Sequence, residues 1–196
     1  RDFIKKHHYS GKIVANSQLH FGVFWSDKLE GVMQFGPSMR KDFMLNLVKG
    51  TGWNQFMELN RMAFSEKLPR NSESRAIAIA MRLIKKHYPH IKWIVSFSDG
   101  TKCGDGTIYR ASGFILTSIK KNVGLRINPK TGEPMQSMQA YHLGIQNFKD
   151  WKALEGFQLR YMYFLDKAYR ARLTVPEWPF SMISQMGASM YKGVKG

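Results

Sequence analysis

The chain has 196 residues, of which 43% are hydrophobic and 13% aromatic, a composition that excludes a disordered chain and suits a folded domain. Thirty Lys and Arg residues against 14 Asp and Glu give a net charge of +16, so we expect a polyanionic partner. Nucleic acid stands ahead of an anionic membrane surface and of a solvated surface without a partner. The single cysteine, Cys103, excludes a disulfide framework and indicates a reducing, cytoplasmic setting.

The first third of the chain predicts a basic segment followed by strands. Residues 1–10 are basic and end in a His-His-Tyr-Ser cluster. The stretches HFGVFW (20–25) and GVMQFG (31–36) are typical of strands, and the polar turn 26–28 between them indicates a hairpin. After a looser region, residues 57–64 predict a further strand. No stretch approaches the length of a membrane span and no signal peptide is visible, so we expect no membrane partner.

The clearest element is a helix over residues 72–88, whose apolar residues recur at helical spacing. Asn71 or Ser72 is expected to cap its first turn, and Pro89 to end it. The mostly apolar run 91–98 then predicts a strand that is buried on both of its faces.

The second half of the chain predicts shorter elements. They are a helix over 107–112, a strand over 114–121, a polar irregular insertion or loop over 128–144, a short helix over 147–154 and a strand over 157–166. This order predicts an α/β fold with a mixed central sheet and flanking helices. We expect a single domain over 1–196, with a basic N-terminal segment and a loop insertion over about 122–150.

Three places carry signals for a ligand, and each has a purely structural alternative. The segment RNSESR (70–75) opens the long helix, where free amides either bind the phosphates of a donor or are simply capped. Asp99 follows a buried strand and precedes Gly100, so it is either a ligand-binding carboxylate or part of an Asp-Gly turn. Tyr109 is either a proton donor or a half-buried core aromatic.

Two further clusters carry weaker signals. His7, His8 and Tyr9 either hold a transition metal such as iron or form a basic arm that touches phosphate, and no metal spacing motif supports the first alternative. Cys103 is expected to be a passive thiol, because no base can be paired with it from the sequence.

Several stretches together resemble one family. They are HHYS, MELNRMAF, LPRNSESRAIAIAMRLIKKHYPHIKWIVSFSDG, GDGTIYRASGFILT and RARLTVPEWPF. In this order they resemble the Mom proteins, the DNA-modification proteins of phage Mu and related phages and prophages. The resemblance implies a fold similar to the GCN5-related N-acetyltransferases. It also implies conversion of adenine in double-stranded DNA to N6-carbamoylmethyladenine, which protects the DNA from restriction in the cytoplasm of a bacterial host.

The resemblance also implies roles for particular residues. The implied catalytic residues are Asp99, Tyr109 and Tyr9. The implied ligands of an iron ion are His8, Tyr9 and Asp99, and the implied base contact is Trp25. The implied donor-binding loop comprises Arg70, Asn71, Ser72, Glu73, Ser74 and Arg75, with acetyl-CoA or another anionic donor as its ligand.

The implied product restricts the chemistry. It has a CH2 carbon on N6 and a terminal carboxamide, so acyl transfer from a thioester alone does not produce it. Either N6 bonds to an activated methylene, or a glycinamide-like nitrogen ends up at C6. An acetyltransferase acting on protein or a small molecule, and a DNA-binding protein without activity, remain as alternatives. The oligomeric state, a homodimer included, is open.

Overall fold

The computed structural model describes residues 1–101, 103–191 and 194–195, without the side chains of Met138, Val194 and Lys195. The helices of these residues are Asp2–His7 (α1), Lys41–Leu45 (α2), Ser72–His87 (α3), Thr107–Ala111 (α4), Ser137–His142 (α5), Lys167–Arg170 (α6) and Ser181–Gln185 (α7), with a 3-10 turn at Phe148–Asp150. The strands are Leu19–Trp25 (β1), Lys28–Gly36 (β2), Phe56–Phe64 (β3), Trp93–Asp99 (β4), Ile115–Lys121 (β5), Leu125–Ile127 (β6), Pro134–Gln136 (β7), Phe157–Phe164 (β8), Met190–Tyr191 (β9) and Val194–Lys195 (β10).

Six strands form the main sheet, in the order β1-β2-β3-β4-β8-β5. β2 pairs antiparallel with β1 and with β3, whereas β3 and β4 pair in parallel. The parallel pair requires a crossover, and α3 supplies it. The predicted α/β class with a mixed sheet is therefore confirmed. Among the described residues, no helix combines the length and the apolar character needed to cross a bilayer.

The chain divides into two compact units. The first comprises residues 1–97, 106–117 and 160–179, and the second comprises residues 98–105, 118–159 and 180–196. The single domain expected from the sequence stays a prediction.

The hairpin and the long helix are confirmed. Ser26 and Asp27 have φ values of +48° and +60°, and two positive φ values in a row are what a type I′ hairpin turn requires. In α3 the apolar stripe is buried, with Ile77 and Ile84 both at 0% exposure. Each such side chain contributes about 1.5–3 kcal/mol by leaving water.

The expected cap of α3 was wrong. Asn71 is the N-cap residue, but its φ is +68° and its side chain makes no capping hydrogen bond. A capping side chain reaches the first-turn amides from an extended backbone, and a left-handed residue directs it elsewhere. The Ser72 hydroxyl also turns away from these amides and donates to the carbonyl of Pro69 at 2.6 Å.

Strand β4 lies at the centre of the first unit's core. Its Trp93 stacks on Phe56 of β3 with ring centroids 4.4 Å apart, and the indole N–H donates to the Thr51 hydroxyl. Consecutive residues of β4 are buried, as the predicted two-sided burial requires. The rest of this cluster is formed by Met44, Leu47, Val48, Val95, Ile115, Met162 and Tyr169.

Three other regions differ from expectation. The basic start of the chain folds as α1, which is anchored by the fully buried Ile4. The stretch 128–144 is not irregular, because it contains β7 and α5, and of 147–154 only Phe148–Asp150 is helical. Residues 159–162 of β8 are all buried, Arg160 among them, because the strand lies between β4 and β5 and is covered on both faces.

Candidate functional site

Polar side chains are buried along β2 and β3 and just beyond the end of β2. Gln34 is only 3% exposed and Asn60 and Ser38 only 8%, while Glu58 is partly buried. We name Gln34, Ser38, Glu58, Asn60 and Arg61 the polar cluster. Burying so many polar groups costs free energy that a core of apolar residues would not lose, so the cluster is a candidate functional site.

The register of the two strands places three of these side chains on one face. Gln34 pairs with Arg61 and Gly36 pairs with Glu58, and a register shift between Gln34 and Phe35 adds one residue to β3 between these pairs, so that Arg61 and Glu58 face the same side. Directly opposed residues of antiparallel strands share a face, and so do residues two apart along one strand. Gln34 and Glu58 therefore project from neighbouring rungs toward the same side of the sheet.

Glu58 is more basic than an exposed carboxyl. Burial raises its pKa, while hydrogen bonds from Ser38 and Asn60 and the charge of Arg61 act in the opposite direction. A carboxylate whose pKa is raised toward neutrality is suited to accept a proton in a reaction near pH 7.

The segment before β1 holds the cluster in place. The Ser17 hydroxyl donates to Asn60 Oδ1 at 3.2 Å, and Asn60 Nδ2 donates to the carbonyl of Pro37. Arg61 Nε donates to the carbonyl of Lys12 at 3.0 Å. These bonds fix the Arg61 charge beside Glu58.

Gln34 carries an acceptor without a donor. Its Oε1 is fully buried and accepts no hydrogen bond from any residue that the structure describes. Its Nε2 lies 3.2 Å from Nδ1 of His20 on β1. An unsatisfied buried acceptor costs about 1–3 kcal/mol, which a ligand with an N–H or O–H group would recover.

His8 and Tyr9 follow α1, which packs against β2 and β3. Nδ1 of His8 accepts the backbone N–H of Ser10 at 3.1 Å, so the proton of the neutral ring is on Nε2. Burial, and then the charge of Arg61, lowers the pKa of His8 to about 4. His8 is therefore neutral near pH 7 and presents an N–H donor, with the Tyr9 ring 4.3 Å away.

This arrangement does not fit an iron site. A histidine that binds a metal through Nε2 offers the lone pair of that nitrogen and usually donates from Nδ1, which is the reverse of what His8 does. The positive charge of Arg61 also opposes a cation beside His8. Within the part of the chain that the structure describes, no three His, Cys, Asp or Glu residues come together as possible ligands.

Asp99, in the second unit, closes a turn. Its Oδ1 accepts the backbone N–H of Thr101 at 3.0 Å and the Asn122 amide at 2.9 Å. The Cys103 backbone N–H and thiol both donate to the Asp99 carbonyl. The structure thus shows the turn that was the structural alternative for Asp99. That Asp99 acts together with Tyr109 and His8, which belong to the first unit, is implied by the resemblance and stays a prediction.

Tyr109 packs in the first unit. It is 9% exposed, and its ring lies 5.2 Å from that of Tyr161 and 5.4 Å from that of Phe114. Gly106, which precedes α4 with φ of +85°, allows this packing, since a Cβ there would overlap the Tyr161 ring. The core role of Tyr109 is therefore visible, and its role as a proton donor stays a prediction.

The predicted donor loop lies on the surface of the first unit. Arg70 and Arg75 are exposed, and Ser74 donates to the Asn71 carbonyl at 3.1 Å. The Ser72 N–H donates to the Pro69 carbonyl at 3.2 Å, and with no side-chain cap the amides of Glu73 and Ser74 are available to an anion. Trp25, 52% exposed, ends β1 opposite Lys28, where its ring is accessible for stacking.

A basic surface of the first unit was not singled out from the sequence. The Lys41 ammonium lies 4.1 Å from the centroid of Trp53, which is 59% exposed. A depression of about 510 Å³ is lined by Lys49, Gly50 and residues 171–174. The bond from the Lys49 N–H to the Arg172 carbonyl joins its two sides. We name Lys41, Lys49, Trp53 and Arg172 the basic surface.

Comparison with known proteins identifies the family. The profile of the Mom protein family matches residues 1–182. Methylcarbamoylase mom of Escherichia phage Mu is 36% identical over 181 residues, which are 88% of this chain and 74% of that protein. Similar solved structures include a Bacillus subtilis acetyltransferase in complex with CoA, at 13% identity, TM-score 0.42, and coverage of 74% of this chain and 75% of that chain. A ribosomal-protein-alanine N-acetyltransferase of Brucella melitensis has 12% identity, TM-score 0.44, and coverage of 74% and 67%. At such scores these structures say nothing about ligands here. The family match and the relative confirm the resemblance seen in the sequence: the chain belongs to the Mom protein family.

Proposed function

We propose that this chain is a transferase that converts adenine in DNA to N6-carbamoylmethyladenine and thereby protects phage-type DNA from restriction in a bacterial host's cytoplasm. The observation that carries the proposal is the 36% identity with methylcarbamoylase mom, which extends over 88% of the chain. The family match over residues 1–182 supports it. An acetyltransferase of proteins or small molecules would leave the charge of +16 unexplained.

The substrate is double-stranded DNA, which contacts the basic surface. Lys49 and Arg172 are exposed cations beside a concave depression, and Trp53 adds an exposed ring next to the Lys41 charge. Cations that neutralise phosphates supply most of the affinity of such a contact. Adenine N6 is reached only after the base leaves the helix, and Tyr9 and Trp25 are exposed rings on which a flipped base can stack.

DNA binding to this surface can be tested by charge reversal. Lys49→Glu with Arg172→Glu should weaken binding of a duplex oligonucleotide in a fluorescence anisotropy titration much more than Lys85→Glu with Lys86→Glu. The second pair makes the same change of net charge on the exposed last turn of α3. Equal losses would show that only net charge matters and would contradict the assignment.

The carbamoylmethyl donor is proposed to be anionic and to bind at the start of α3. The uncapped amides and the exposed Arg70 and Arg75 support this placement, with acetyl-CoA as the first compound to test. Calorimetric titration should show binding that Arg70→Ala with Arg75→Ala weakens. Without binding at millimolar acetyl-CoA, the donor would be another anion.

Mass spectrometry of nucleosides from cells that express the chain tests the function itself. Carbamoylmethylated deoxyadenosine is the expected product, and its absence would contradict the proposal.

Asp99→Asn and Tyr109→Phe preserve shape, so catalytic roles predict folded variants that bind DNA without modifying it. If both variants modify DNA at near wild-type levels, Asp99 has only a structural role in its turn and Tyr109 only a packing role in the core.

A further inference from the structure

We propose that Glu58 is a catalytic base of the adenine modification and that Gln34 holds the exocyclic amine of the flipped adenine beside it. This inference rests on the proposed function and adds a substrate subsite to it. It assigns to the polar cluster of β2 and β3 a role that the sequence did not indicate.

The unpartnered acceptor of Gln34 specifies the kind of ligand. Its Oε1 is buried and lacks a donor among the residues that the structure describes, so the missing partner is a hydrogen-bond donor. Arg61, which pairs with Gln34 across the strands, places a positive charge beside the site. That charge disfavours an ammonium ligand and favours a neutral amine. The N6 amine of adenine is neutral and carries two hydrogens.

The second hydrogen of that amine requires a second acceptor. Glu58 projects from the next rung on the same face as Gln34. Two hydrogen bonds of about 2.9 Å from one nitrogen place their acceptors about 5 Å apart, a separation that side chains on neighbouring rungs can span. Gln34 and Glu58 can therefore hold one amine between them, with Gln34 orienting it and Glu58 accepting from it.

The reaction requires a carbamoylmethyl donor whose leaving group departs as an anion. N6 forms a bond to the methylene carbon while the bond from that carbon to the leaving group breaks. The leaving group departs with the electron pair, and the N6 proton moves to the Glu58 carboxylate. Ser38 and Asn60, which hydrogen-bond to Glu58, keep the carboxyl in position during the transfer.

The charged and titratable groups around this pair come from three elements. Arg61 on β3 acts on Glu58 directly, His20 on β1 is hydrogen-bonded to Gln34, and His8 after α1 lies within the field of Arg61. His8 is neutral above pH 5, so its titration does not change the reaction rate between pH 5 and pH 7. A fall of the rate within this range comes from the titration of another group.

The first test compares Glu58→Gln with Glu66→Gln, the same substitution at an exposed position. Both variants are expected to bind duplex DNA like the wild type. Glu58→Gln should modify adenine at least about 100-fold more slowly, and Glu66→Gln at the wild-type rate. A near wild-type rate for Glu58→Gln overturns the inference while the proposed function stands. A wild-type protein that modifies no adenine overturns both.

A second test leaves Glu58 in place, so it does not depend on whether Glu58→Gln folds. Gln34→Met keeps the volume of the side chain but removes the unpartnered acceptor. We expect a higher unfolding midpoint for the free protein and a modification rate about 10-fold lower. In the wild type, the rate should fall toward acid as Glu58 becomes protonated, with a midpoint above 4.5. A rate that is flat down to that pH, or an unchanged rate in Gln34→Met, contradicts the assignment.

Discussion

Acidification should destabilise the folded protein through His8. The pKa of this side chain falls from 6.5 to about 4 on folding, because burial and the Arg61 charge both oppose the imidazolium form. Between these two values the unfolded chain binds more protons than the folded one. The stabilisation is therefore present above pH 6.5 and is lost as the pH falls toward 4.

The size of the effect follows from the shift. Taken in full, it amounts to about 2 kcal/mol at pH 5 and about 3 kcal/mol at pH 4. His8 is partly exposed, and solvent screens it, so we expect roughly half of these values. The free energy of unfolding can be measured in urea by fluorescence of the five tryptophans at several pH values.

The control is His8→Asn, whose side-chain oxygen can still accept the Ser10 N–H but does not titrate. Glu58 acts in the opposite direction, because a carboxyl with a raised pKa gains folded-state stability as the pH falls. Its contribution is common to both proteins and cancels in the difference. The free energy of unfolding of the wild type minus that of His8→Asn should decrease from pH 7 to pH 4. Parallel curves would refute the assignment of a neutral, buried His8.

Three other predictions use the same structure. Gly106→Ala should destabilise the fold by about 2–4 kcal/mol in urea unfolding, whereas Gly132→Ala, with a similar positive φ but open space, should cost less because no Tyr161 ring is displaced. Ile84→Ala should lower the free energy of unfolding by about 2–5 kcal/mol, and the half-exposed Ile79→Ala by less than about 1 kcal/mol. DNA affinity should fall on the order of 10³-fold between 50 and 200 mM salt if about six phosphates are contacted, and salt-insensitive binding would contradict a phosphate contact.

Local signals were sufficient for much of the fold. The hairpin turn at Ser26 and Asp27, the apolar stripe of α3 and the apolar run of β4 each determine their element through residues close in sequence. The crossover from β3 through α3 to β4 then follows from the length of the helix, since parallel neighbours need such a connection. The predicted strands over 57–64, 114–121 and 157–166 and the predicted helix over 107–112 also agree with the structure, within one or two residues.

Elements that depend on distant contacts were missed. α1 is only six residues long, too short to be stable alone, and it forms because Ile4 is buried against the unit. The cap of α3 failed for a related reason, because the sequence does not show the left-handed backbone at Asn71. Gln34 and Glu58 were overlooked because polar residues within a strand indicate a solvent-facing side, and only the three-dimensional fold shows this side to be covered.

Asp99, which the resemblance implies as a catalytic residue, and Glu58 are the two acids that could accept the proton, and the fold treats them differently. Asp99 Oδ1 accepts a backbone N–H and an asparagine amide, and an asparagine at this position can accept both through its own Oδ1. Burial disfavours the charged form of Glu58. Replacing Glu58 by glutamine removes that buried charge. We therefore expect Asp99→Asn to unfold in urea close to the wild-type midpoint and Glu58→Gln at the same midpoint or above it. With folding preserved in both, the rate of adenine modification identifies the base: the substitution that abolishes it has removed the proton acceptor. A Glu58→Gln midpoint well below that of the wild type would show that the carboxylate is needed for the fold, and the argument from its burial would be wrong.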